Sequence, residues 1–138
     1  MTRVTCDENG LVRGFSYHDG FLDGVLVGDG GIVYLALRAQ SGERRVLTLT
    51  GVTALSVDAF REGNIVLDLR VLPATAGAAD AEIAQLLADR LYLAPASLAA
   101  TSVVFRLVSS FGAEVLAVCA EVEISAAGAT LTPTGPTT

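Results

Sequence analysis

A chain of 138 residues, 51% of them hydrophobic, is long enough for one domain with its own core and too short to suggest a second. Its nine basic residues are all arginines, set against fifteen acids for a net charge of −6. The lack of lysine excludes a Walker A phosphate loop, a Schiff-base lysine and a kinase-type lysine, and the acidity argues against a nucleic-acid partner, which would need a basic stripe.

Mean hydropathy is +0.54, high for a soluble domain. The uncharged run Leu91 to Phe105 is nevertheless interrupted by Pro95 and too short to span a bilayer, so no membrane association is expected. The apolar surplus is expected to fill a β core buried on both faces or an interface with another chain. Met1 to Asn9 lacks an apolar stretch and carries Asp7 and Glu8 early, which implies no signal peptide and a cytoplasmic location. Cys6 and Cys119 share no ligand or redox spacing and read as free thiols.

Period-two alternation dominates the first half and predicts strands over Phe15 to His18, Phe21 to Val27 and Ile32 to Arg38. Arg45 to Thr50 completes a hairpin with the last of these across Gln40 to Glu43. Leu55 to Phe60 and Ile65 to Leu72 read as a second hairpin around Arg61-Glu62-Gly63-Asn64, with Gly63 or Asn64 at positive φ. Pro73 to Ala79 reads as a connector.

The period then changes. Asp80 to Leu93 places Ile83, Leu86, Leu87 and Leu91 on one stripe, with Asp80 as cap, Glu82 in the first turn, Arg90 in the last and Pro95 as stop. Ser102 to Ser109 and Ala113 to Ile124 form a final hairpin around Phe111-Gly112, the first strand apolar on both faces and therefore central. The expected fold is α+β, with seven or eight mainly antiparallel strands in a curved sheet or sandwich and one helix over about 80–93. Residues 1–124 form a single domain, and the Ala/Thr/Pro-rich stretch 125–138 is a tail.

His18 is the one histidine, and Asp19 beside it invites an acid–base pair. Neighbours in a strand point to opposite faces, and no second catalytic group stands at motif spacing, so a histidine bonded to backbone at a strand end is the expectation. The Asp-Gly pairs at Asp19, Asp23 and Asp29 suggest hard-cation ligands. Their spacing is not that of a calcium loop and no glutamate closes it, so turn formation accounts for them and no metal or cofactor is expected.

Tyr17-His18-Asp19-Gly20, Leu49-Thr50-Gly51-Val52, the run Asp58 to Val66, and Ser109-Ser110-Phe111-Gly112 ahead of Cys119 together resemble a group of small bacterial β-rich domains, some of them grouped with the immunity proteins of polymorphic toxin systems. The resemblance covers about Gly14 to Ile124 and implies a cytosolic, cofactor-free binding protein with no catalytic residues. The reading is therefore a non-enzymatic protein-binding domain whose partner is another protein or a second copy of itself. His18, Asp19 and Asp23 are the candidate binding residues, with Asp7 and Glu8 adding acidity that would steer a basic partner. The alternatives are a small enzyme using His18 as acid or base, and a structural homo-oligomer with an apolar ligand.

Overall fold

Residues 1–126 are described by the computed structural model, and nine of their strands join one antiparallel sheet. The chain enters through three two-residue strands, β1 (Thr2–Arg3), β2 (Thr5–Cys6) and β3 (Val12–Arg13), then forms β4 (Phe21–Val27), β5 (Val33–Arg38) and β6 (Arg44–Thr50). β7 (Ala54–Asp58) and β8 (Asn64–Pro73) precede two helices, α1 (Ala74–Ala79) and α2 (Ala81–Leu91). β9 (Val103–Phe111), β10 (Glu114–Cys119) and β11 (Glu121–Ala126) complete the fold. The sheet order is β1-β11-β6-β5-β4-β8-β9-β10-β7, with β2 and β3 paired separately.

Two bends turn this order back on itself. The chain bends from β6 into β7 at Gly51 and from β10 into β11 at Ala120, so the same two long strands pair twice, β6 with β11 and β7 with β10. Hydrogen bonding thus runs from β6 through β5, β4, β8, β9 and β10 to β7, with Phe21 facing Ile65 where β4 meets β8, and the circuit is closed between β6 and β7 by the chain itself at Gly51. The two bends touch. Ala120 N–H donates to the Thr50 carbonyl at 2.8 Å, and a Cβ on Gly51, whose φ is +63°, would lie 2.8 Å from the Cβ of Ala120. Only glycine meets both the left-handed backbone and that approach.

Alternation then sorts the core into two compartments. Leu35, Leu47, Leu49, Phe105, Leu107, Val115 and Val122 point into the closed circuit. Outside it, Ile83 and Leu87 of α2 pack over Leu72, Val104, Leu116 and Val118 on the outer faces of β8, β9 and β10. Burying either helix side chain contributes roughly 1.5–3 kcal/mol. β9 and β10 are therefore covered on both sides, which explains the unbroken apolar character of Val103 to Phe105. Asp80 caps α2 as the sequence predicts, its Oδ1 accepting from Glu82 N–H at 3.0 Å and Ile83 N–H at 3.1 Å. Tyr92, at φ +56°, turns the chain out of the helix.

The β5–β6 and β9–β10 hairpins form in the expected places. Several expectations need correction. There are eleven strands among the described residues rather than seven or eight, because two-residue strands carry no periodicity and because Ala113 to Ile124 is split at Ala120. Phe15 to His18 is a loop, not a strand: Gly14 (φ +87°) and Asp19 (φ +60°) leave the extended region, and Gly20 N–H closes a turn onto Tyr17. The stretch after Pro73 is not a bare connector, since its alanines form the short helix α1, with Gly77 allowing close approach to Val104.

β7 and β8 are not a hairpin. Gly63 has the expected positive φ, +75°, but Ala59 also turns left-handed, at +56°, and the connection leaves β7 on the far side of β10, with β9 and β10 between it and β8. At the C-terminal end Ser125 and Ala126, read as the start of a tail, continue β11 opposite Val46 and Arg45. Residues 127–138, the rest of that stretch, lie outside the described residues.

Candidate functional site

His18 sits on the loop before β4, exposed, where β8 bulges between Val66 and Asp68. The bulge takes Leu67 out of strand pairing, and its carbonyl accepts from His18 Nδ1–H at 2.8 Å. Since a carbonyl only accepts, Nδ1 carries the proton and the neutral ring keeps Nε2 as an acceptor. Nε2 lies 3.7 Å from Asp19 Oδ2, too far for a hydrogen bond. No serine, threonine or cysteine is bonded to the ring among the described residues, and none of the grooves described below includes it. His18 and Asp19 are thus brought together by the turn, but no further group joins them.

Asp23 is elsewhere. It stands at the register shift between Leu22 and Gly24 in β4, so Asp23-Gly24 is a bulge, not a turn. Arg38 holds it with two hydrogen bonds, Nε to Oδ2 at 2.9 Å and Nη2 to Oδ1 at 3.1 Å, and the same guanidinium lies over the Phe21 ring at 4.3 Å. The Asp23 hydrogen bonds raise the Arg38 pKa above its usual value. Asp7 is also engaged, its Oδ1 accepting from Asn9 N–H and Leu11 N–H. Of the acids expected to steer a partner, two are therefore spent on the chain itself. Among the described residues no three His, Cys, Asp or Glu side chains gather as metal ligands.

The surface grooves are open and shallow in chemistry. One of about 400 Å³ is lined by Arg3, Arg13 and Arg45, but Arg3 pairs with Glu121 at 2.6 Å and Arg45 pairs with Glu43. Another, of about 340 Å³, borders the exposed Cys6, whose thiol burial pushes above its usual pKa. Cys119 is a free thiol inside the core, its pKa pushed up to about 12 by burial. Neither thiol has the electropositive surroundings that make a reactive cysteine. No helix among the described residues is long and apolar enough to cross a membrane.

The sheet edges are more informative. At one end β1 is two residues long and carries Arg3, a blunted edge of the kind that resists further pairing. At the other end β7 runs for five residues, Ala-Leu-Ser-Val-Asp, in continuous register with β10 and without proline, basic residue or bulge. Its outer face is covered: Ala54 packs against the core beneath α2, and Arg90 of α2 pairs with Asp58. Its inner face is covered only in part, since Leu55 packs against the core and Val57 does not. The row Leu69, Leu107, Val115 and Val57 crosses four strands, and the first three are buried while Val57 is 36% exposed.

Phe60, just beyond β7, and Phe111, at the end of β9, are also exposed, with Arg61 over the Phe111 ring at 5.8 Å. At the other end of β7 the turn between β4 and β5 is tied in, Val52 N–H donating to the Gly31 carbonyl at 2.8 Å. What lies open is a slot one short strand long. Reading β7 and β8 as a hairpin conceals it, because pairing would then be satisfied on that side. The signal present in the sequence is the alternation Leu55, Val57 against Ser56, Asp58 with no basic gatekeeper.

Comparison with protein-family models, with curated proteins and with solved structures finds no match to this chain. The functional reading accordingly rests on the chain's own residues.

Proposed function

We propose that this is a non-enzymatic protein-binding domain that accepts an extended strand of its partner along the open edge of β7. The observation that carries this is the row ending at Val57, an inward-facing core position left 36% exposed because no strand flanks β7 on that side among the described residues. A strand laid there would pair the free N–H and C=O groups of β7 and cover Val57 in one step. His18 keeps Nε2 as an acceptor, but its nearest carboxylate is 3.7 Å away and no hydroxyl or thiol is bonded to the ring among the described residues, so nothing there completes an acid–base or nucleophilic pair.

The test is a titration of the isotope-labelled full chain with a panel of short peptides alternating β-branched and polar residues, followed by backbone amide shifts. Shifts centred on Ala54 to Asp58, lost in Val57→Lys, are expected. Shifts centred on His18 instead, or none for any peptide in a chain that is also monomeric, would overturn the reading.

A further inference from the structure

We propose that the strand received by β7 is β7 of a second copy of this chain, paired antiparallel about a two-fold axis through Ser56. The inference rests on the reading of β7 as the binding edge and names its occupant. Pairing about Ser56 sets Leu55 opposite Val57 of the partner subunit and Ala54 opposite Asp58 of the partner subunit. Leu55 and Val57 are the two residues of β7 that face inward, in register with Ala117 and Val115. The two inward rows of one copy therefore run on into those of the other, Val115 and Val57 meeting Leu55 and Ala117 of the partner subunit, with apolar side chains at each step.

On the outer face no like charges meet. Asp58 already has Arg90 beside it, and the residue brought opposite is an alanine. Length agrees as well: the edge is open over the same five residues that pair, bounded by the Val52–Gly31 contact at one end and by the left-handed Ala59 at the other. A two-fold interface uses one patch twice, which requires a self-complementary pattern, and Ala-Leu-Ser-Val-Asp supplies one. The lack of proline, bulge or basic residue along this edge, a hazard for aggregation on a monomer, is accounted for if a second copy closes it.

Three measurements on the full chain decide it. Light scattering should give twice the 14.2 kDa chain mass, and Val57→Lys should give the single mass with an unchanged far-ultraviolet spectrum. In a Cys6→Ser background, Ser56→Cys should form an intermolecular disulfide under mild oxidation, because residues at a two-fold axis lie within bridging reach, whereas Asp29→Cys should not. Hydrogen exchange should show the β7 amides that point away from β10 protected in the wild type and exposed in Val57→Lys. A dimer insensitive to Val57→Lys and not linked through Ser56→Cys overturns the proposal. A monomer in which those outward amides are protected overturns it too. A monomer that still binds the alternating peptides along β7 overturns the second copy and leaves the protein-binding reading standing; one that binds none overturns both.

Discussion

Asn64 and Gly112, far apart in the chain, meet so closely that a Cβ on Gly112 would fall within 3.0 Å of Asn64 Oδ1. The amide of Asn64 is buried and bonded at both ends: Oδ1 accepts from Arg61 N–H at 2.7 Å and Ala113 N–H at 2.9 Å, and Nδ2 donates to the Leu22 carbonyl at 3.1 Å. One side chain thereby ties the β7–β8 connection, the β9–β10 turn and the short β4–β8 pairing that closes the sheet.

Asn64→Ala leaves three backbone groups without their partner, and a loss of about 3 kcal/mol in denaturant stability is expected, at roughly 1–3 kcal/mol for each buried unsatisfied group. Gly112→Ala is expected to cost about 1–3 kcal/mol, since φ is +87° and the added methyl meets Oδ1. The double variant should lose less than the sum, because removing the amide removes what the methyl strikes. Additive losses in a double-mutant cycle would show that the contact carries no coupling.

Gly63 is different, with φ +75° but open space where a Cβ would stand. Gly63→Val is therefore strained by backbone alone, and a drop of about 1–3 kcal/mol is expected. Gly63→Asn, which tolerates the left-handed region, should cost clearly less. Equal denaturant midpoints for valine and glycine at this position would contradict the turn geometry.

Asp80 offers a third check. Its carboxylate accepts from the first free N–H groups of α2, and Asp80→Ala should lower stability by about 1 kcal/mol while Asp80→Asn retains most of it. Thermal melts of the two variants give the comparison directly. A loss as large in asparagine as in alanine would mean that the Arg70 contact at 3.8 Å, rather than the cap, dominates.

The two thiols should behave oppositely. Cys119 is held neutral by burial, with its pKa raised from 9.0 to about 12. Below pH 9.0 both folded and unfolded chains keep this proton; above it the unfolded chain releases it first, so the thiol's contribution to stability is lost as pH rises from 9.0 to about 12. Burial shifts Cys6 and Tyr17 in the same direction, so Cys119→Ala should flatten the alkaline decline without abolishing it. With a thiol reagent at neutral pH, exposed Cys6 should label in the folded protein and Cys119 only on unfolding.

Features set by neighbouring residues were readable directly from the sequence. The β5–β6 and β9–β10 hairpins, the Asp80 cap, the stripe of Ile83 and Leu87 and the positive φ of Gly63 depend on turn chemistry and periodicity within a few residues, where side-chain spacing and backbone sterics act alone. The doubly apolar β9 also announced its central place, because a strand buried on both faces has no polar side to show.

Tertiary structure decided everything that depends on which surfaces find each other. Leu55 to Asp58 has the pattern of a half-buried strand, and whether its neighbour is β8 or β10 turns on where the whole sheet closes, an outcome spread over the bends at Gly51 and Ala120 and the amide of Asn64. His18, Asp19 and Asp23 stood out by residue type, yet Leu67 and Arg38, remote in sequence, determine what His18 and Asp23 do. The open edge at Val57 was hidden for the same reason. A strand's sequence specifies its two faces, but its two edges are filled or left free only by the competition among all strands for backbone hydrogen bonds and a shared core.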